Sequence, residues 1–183
     1  EKLSSYHRTK IKKAITNKIS CHIATTQAEY RDFFSILENT GKTKWFNTIH
    51  AEKFTDLCEW CMANGKWFLY IATQNDQIVG WSLYLIDPDA NVGIYLYGWT
   101  NREAWNVGVW HAVNRYAICD LQERWIKTID LLWWWPIGEK NHPLYNVWLF
   151  REWFGAEKIE FLWSYDLIYN RLFYLLWKMK NKK

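Results

Sequence analysis

Three short apolar-rich runs, Trp67 to Thr73, Ile78 to Ile86 and Val92 to Tyr97, follow one another with little more than the turns Gln74-Asn75-Asp76-Gln77 and Asp87-Pro88-Asp89 between them. Strands joined this tightly pair antiparallel, because their connections are too short for a crossover. The segments on either side then fix the class. Before them, periodicity predicts a basic helix from Tyr6 to Asn17, a strand near Ile19 to Ala24, and helices over Gln27 to Glu38 and Ala51 to Ala63. After them come a long helix from Arg102 to Glu123 and a strand from Lys127 to Leu132. A short helix from Leu144 to Trp153, strands at Glu157 to Phe161 and Ser164 to Ile168, and a terminal helix from Asn170 to Met179 complete the series. The expected class is α/β (α+β): a mixed central sheet with helices on both faces.

No internal repeat or low-complexity linker interrupts this order, so residues 1–183 read as a single domain. A hydrophobic content of 50% suffices for a core, and no apolar run approaches the roughly 18 residues that span a bilayer. The chain is expected to be soluble. It opens on Glu1 with no signal-peptide pattern, and so reads as mature, trimmed or part of something longer.

Several familiar chemistries lack their motifs. Cys21, Cys58, Cys61 and Cys119 are too dispersed for a disulfide framework. The Cys58-Glu59-Trp60-Cys61 spacing falls within a helical apolar pattern and has no second ligand pair, so no metal site is expected. The five histidines carry no zincin, hydrolase or deaminase context and read as surface or satisfied residues. Neither a Walker loop nor a dinucleotide fingerprint occurs. The net charge is +4, with Arg8, Lys10, Lys12, Lys13 and Lys18 near one end and Lys178, Lys180, Lys182 and Lys183 at the other. Such clusters are either solvated helix faces or contacts for RNA phosphates, pyrophosphate or lipid heads.

Tryptophan is in excess and glycine in deficit, 15 against 8. Several tryptophans fall where the backbone asks for glycine. Trp125 stands where a left-handed residue should end a helix, Trp99 is expected in a loop, and Trp133-Trp134-Trp135-Pro136 follows a strand.

The chain resembles the second domain of the FemABX family, non-ribosomal aminoacyltransferases with a GNAT-like acyltransferase fold that build peptidoglycan bridges. The resemblance runs through Arg8-Thr9-Lys10-Ile11-Lys12-Lys13-Ala14, Val79-Gly80-Trp81-Ser82-Leu83-Tyr84-Leu85, Tyr95-Leu96-Tyr97-Gly98, Ile129-Asp130-Leu131 and His142-Pro143-Leu144-Tyr145. Phe150-Arg151-Glu152-Trp153-Phe154-Gly155 and Phe161-Leu162-Trp163-Ser164-Tyr165-Asp166-Leu167 extend it over nearly the whole chain. Where the family typically has glycine, this chain has Trp45, Trp81, Trp125, Trp133, Trp134, Trp153 and Trp163. Such a pattern would follow from translating UGA as tryptophan where the source reads it as glycine. For Trp60, Trp110, Trp148 and Trp177, which fit helical patterns, genuine core aromatics are as good a reading.

The resemblance implies transfer of an aminoacyl group from aminoacyl-tRNA to an amine of a lipid II type peptidoglycan precursor. Attack by an amine on an ester needs alignment, an oxyanion donor and a route for a proton, and requires neither cofactor nor metal. It also implies cytoplasmic location, peripheral contact with the inner face of the membrane, and a preceding GNAT-like domain absent from this chain. Arg151 stands at the family's basic position near the tRNA acceptor end, and Asp130 ends a central strand, where ligands bind but turn caps also occur; both are the expected catalytic residues. Lys12, Lys13, Tyr97, Asn141 and Tyr145 are the expected substrate-binding residues, Tyr97 being more readily read as packed. Two alternatives stay open: an acetyl-CoA dependent GNAT N-acetyltransferase, whose pyrophosphate signature fits Arg102 to Trp110 poorly, and an inactive binding module.

Overall fold

The computed structural model describes residues 3–44, 60–101, 103–132, 145, 149, 151–152, 154–159 and 170–180. Helix α1 (Ser5–Thr16) starts at Ser4, whose hydroxyl accepts the His7 N–H at 3.3 Å. Strand β1 (Ser20–Ile23) leads to α2 (Gln27–Lys44) through a capping box. The Thr26 hydroxyl accepts the Glu29 N–H at 3.3 Å while the Glu29 carboxylate accepts the Thr26 N–H at 3.0 Å. Of the helix expected over Ala51 to Ala63, residues 60–63 are helical and the remainder, with Cys58, lies outside the described residues.

The three-strand meander forms as its spacing requires. Strands β2 (Trp67–Gln74) and β3 (Gln77–Asp87) meet at Asn75 and Asp76, with φ of 50° and 61°, the backbone of a type I′ hairpin. Asp87 ends β3 and its carboxylate takes the N–H groups of Asp89 and Ala90, both at 3.1 Å, so that the chain reverses into β4 (Val92–Thr100). The five-stranded sheet runs β1-β2-β3-β4-β5, antiparallel except for the parallel β4–β5 pair. Trp99, expected in a loop, belongs to β4: it pairs with Trp81 across the ladder, and their rings pack at 5.6 Å.

Two elements are shorter than their apolar patterns suggest. The helix expected from Arg102 begins at Val109, as α3 (Val109–Glu123), behind a single 3₁₀ turn at Trp105–Val107. Gly108, at φ 87°, separates the two, and a β-carbon there would collide with the Lys10 carbonyl of α1. Strand β5 (Thr128–Asp130) stops early because Leu132 turns at φ 54°, its N–H held by Asp130 Oδ1 at 2.7 Å. Glu157, Lys158 and Ile159 form no strand, and the expected strand at Ser164 to Ile168 lies outside the described residues. Tyr145, Leu149, Arg151 and Glu152 are helical, and α4 (Arg171–Lys180) follows.

Helices cover both faces of the sheet. On one, α2 lays Tyr30, Phe33 and Phe34 over Leu69, Ile71, Trp81 and Leu83. On the other, α3 lays Val109, Val113, Ala117 and Leu121 over Tyr70, Tyr84, Ile86 and Tyr95, and α1 packs beside α3. No helix among the described residues is long and apolar enough to cross a membrane.

Candidate functional site

Strand β4 is where the sheet opens. Among the described residues β5 pairs only with its first three residues, Val92 to Thr128, Gly93 to Ile129 and Ile94 to Asp130, while β4 continues to Thr100. At the point of divergence the ladder to β3 also slips, since Tyr84 opposes Tyr95 and Leu83 opposes Tyr97. Leu96 is therefore the extra residue of a β-bulge. A bulge takes a residue out of the ladder and re-aims its backbone. Here it does so at the mouth of a wedge between two parallel strands.

Buried polar side chains collect around this opening. Tyr95 is 7% exposed, and its hydroxyl lies against the Gly98 backbone beside the Trp110 ring, leaving no room for a β-carbon at Gly98. Arg151 is 8% exposed and its Nε makes no hydrogen bond among the described residues. Burial lowers the pKa of its guanidinium, and Tyr95 and Asp130 oppose that shift. Burial likewise pushes the Tyr95 phenol well up, with a further rise from Tyr84 and an opposing pull from Arg151. At neutral pH the Tyr95 phenol is therefore neutral and the Arg151 guanidinium remains charged.

The supports of these groups can be traced to three elements. Asn114, fully buried on α3, accepts from Ser82 Oγ at 3.1 Å and from the Tyr84 hydroxyl at 2.9 Å. Its amide donates to the Trp110 carbonyl at 2.8 Å, and Tyr84 packs edge-on against Tyr95 at 5.4 Å. Arg151 opens a turn that Gly155, at φ 77°, closes, with the Ala156 N–H returning to the Arg151 carbonyl at 3.2 Å. Phe154 in that turn meets the His7 ring at 4.0 Å, and His7 meets His111 at 4.5 Å, so α1, α3 and the Arg151 turn interlock. Burial, then His7, then Lys10 hold the His111 imidazole down at about 3, so it is neutral at physiological pH.

Of the two expected catalytic residues, Arg151 is buried within electrostatic reach of Asp130 and of Tyr95. Asp130 is also a turn cap, through Leu132, and its strand β5, expected to be central, is the outer strand of the sheet among the described residues. Tyr97 lies on the far side of the bulge and is 36% exposed, and Tyr145 is half-buried. Lys12 and Lys13 are exposed on α1, away from the side that buries His7 and Ala14, and do not join the cluster. Asn141 lies outside the described residues. His7, His111 and Asn114 were not among the sequence-based candidates. His7 and Ala14 share one face of α1 at i, i+7 spacing, the one signal that His7 turns inward. Among the described residues no group of three potential ligands could hold a metal ion.

The profile described as "Acetyltransferase (GNAT) domain" matches residues 2–142. No curated protein matches the sequence. Among solved structures the chain is similar to FemX, at 13% identity and a TM-score of 0.72, with 84% of this chain and 54% of FemX covered. It therefore spans about half the length of FemX. An aminoglycoside acetyltransferase from an uncultured soil metagenomic sample, in complex with sisomicin, aligns at 12% identity and TM-score 0.59, covering 84% of this chain and 99% of its own. A protein from Clostridium acetobutylicum, described as a predicted acetyltransferase and solved with acetyl-CoA, aligns at 15% identity and TM-score 0.58, with 84% and 99% covered.

Proposed function

The chain belongs to the GNAT acetyltransferase domain family, and from that premise we propose that it is the second domain of a FemABX-like aminoacyltransferase, moving an aminoacyl group from aminoacyl-tRNA to an amine of a peptidoglycan precursor. The observation that supports this reading is a buried Arg151 whose charge is felt by Tyr95, next to the β4 bulge, and by Asp130 at the end of β5. In an ester aminolysis the carbonyl oxygen gains negative charge as the amine attacks. A backbone amide at the bulge and the Arg151 guanidinium are the donors that could meet it there. The attacking amine must shed a proton, and the Asp130 carboxylate is the nearby acceptor; Arg151 remains charged and serves as an anion holder, not a proton shuttle.

Coenzyme A is the weaker donor. In the acetyltransferase reading, pyrophosphate sits on the N-terminal amides of the helix after β4. That end of α3 is Gly108, backed directly against the Lys10 carbonyl of α1, and its preceding turn is a 3₁₀ turn without a glycine of its own. Location in the cytoplasm, a preceding acyltransferase-like domain and peripheral contact with the membrane belong to the same proposal. Its test offers the chain, and a parent bearing both domains, charged tRNA and acetyl-CoA in separate reactions with a precursor pentapeptide. Aminoacyl transfer by the two-domain protein is the expected result. Acetyl transfer alone would overturn the tRNA reading, and transfer from neither donor would favour a binding module.

A further inference from the structure

We propose that Trp125 is glycine in the native protein, its codon a UGA read by a glycine-charged tRNA. The backbone at the end of α3 carries the argument. Trp125 occupies the residue after the helix cap at φ 67°, its N–H bonded to the Gln122 carbonyl at 3.1 Å while the Ile126 N–H reaches the Leu121 carbonyl at 3.0 Å. This pair of bonds is the helix stop in which glycine is the favoured left-handed residue. The indole offers no packing in return, being 82% exposed.

Positive φ alone does not decide the matter, since Lys18 ends α1 in the same way at φ 56°. What separates tryptophan is its distribution. A residue chosen for its large apolar ring concentrates in cores with its N–H satisfied. Here Trp125, Trp60 and Trp177 are exposed by 82%, 58% and 56%, whereas Trp81 is buried with an indole N–H that has no acceptor among the described residues. A decoding difference is indifferent to environment and scatters tryptophan in this way. It also depletes glycine by as many positions as it adds tryptophan, and the chain has 15 of one and 8 of the other. UGA differs by a single base both from the tryptophan codon UGG and from the glycine codon GGA.

The codon and the residue are both readable. Expected are TGA at position 125 in the coding DNA and glycine at that position in the peptide mass spectrum of protein from its own source. TGG at 125 overturns the proposal, and so does TGA with tryptophan in the peptide. A stability comparison tests the strain independently. Trp125→Gly should raise Tm by about 2–8 °C, while Trp125→Ala, which keeps a β-carbon in the left-handed region, should leave most of that gain unrealised. A Trp125→Gly chain no more stable than the tryptophan form would remove the physical basis of the proposal.

Discussion

The two faces of the sheet are built from the same strands and do different work. The face under α2 is packed hydrocarbon and aromatic rings, with Phe33 against Phe34 at 5.0 Å and against Trp81 at 5.6 Å. The face under α3 buries as many apolar side chains but threads hydrogen-bonded polar groups among them. Ser82 and Tyr84 meet Asn114 there, and the Tyr70 hydroxyl donates to Asp120 at 2.7 Å. Asp120 in turn takes Arg124 Nε at 2.7 Å, and that guanidinium lies over the Phe68 ring at 4.4 Å. Alternation along β3 makes the split, because Trp81 and Leu83 point one way while Ser82 and Tyr84 point the other. Buried polar groups are costly unless paired, and it is on the α3 face that side-chain hydrogen bonds pair them.

The comparison breaks if mutations on the α2 face impair transfer chemistry as strongly as those at the wedge. The largest effect is expected from Arg151→Ala, with aminoacyl transfer falling by about 10²–10³-fold, the scale of losing one oxyanion donor. Arg151→Lys, which keeps the charge but loses the planar fork, should retain part of the activity. Single-turnover rates measured on the folded variants decide this. An Arg151→Ala protein with normal turnover would remove Arg151 from the reaction. On the opposite face, Phe33→Ala should cost about 3–5 kcal/mol of stability in urea melts, while whatever protein remains folded turns over normally.

Asn114 sharpens the contrast. Truncation to Ala strands the Ser82 and Tyr84 hydroxyls in a dry interior, at roughly 1–3 kcal/mol for each unsatisfied group. Asn114→Ala should therefore lose stability and also lower the turnover of the folded fraction, because Tyr84 supports Tyr95 at the bulge. A stability loss with unchanged turnover would reduce the network to packing.

How much of this was legible in the sequence depends on the range of the interaction involved. Meander and helices could be read because alternation and 3.6-residue periodicity are local properties, and the turns at Asn75-Asp76 and Asp87 carry their own chemistry. The left-handed residue at Trp125 was legible for the same reason. The start of α3 was not, because Gly108 is left-handed against the backbone of α1, nearly a hundred positions earlier in the sequence. Trp99 was read as a loop residue because a glycine precedes it, yet its pairing with Trp81 lies across the sheet. Arg151 and Asp130 came from family likeness and position; the burial of Arg151 and the bulge beside Tyr95 are announced by no local pattern. His7 and His111 stayed invisible as a pair because each is a lone histidine until α1 and α3 are packed.

That pair supplies the smallest of the expected effects and the most diagnostic pH profile. The His111 imidazole is held down at about 3 from an ordinary value of 6.5, by burial first and then by His7 and Lys10. Between those values the unfolded chain binds a proton that the folded chain refuses. Stability therefore rises with pH across this window and is lost as pH falls from about 6.5 towards 3. Glu29 acts lower down. Burial raises its pKa, but hydrogen bonds from His22, Thr25 and Thr26 outweigh that and bring the carboxyl to about 2 from 4.5, so its contribution fades only below pH 4.5. Urea melts at pH 7, 6 and 5 isolate the histidine. Wild type should lose stability over that range, and His111→Phe, which fills the same space beside Tyr6 and His7 without titrating, should flatten the loss. A Glu29→Gln chain should keep the wild-type slope between pH 7 and 5. If His111→Phe instead leaves the slope intact while the Tyr95 face still folds, the acid sensitivity resides elsewhere, and the interlock of α1, α3 and the Arg151 turn is held by ring packing alone.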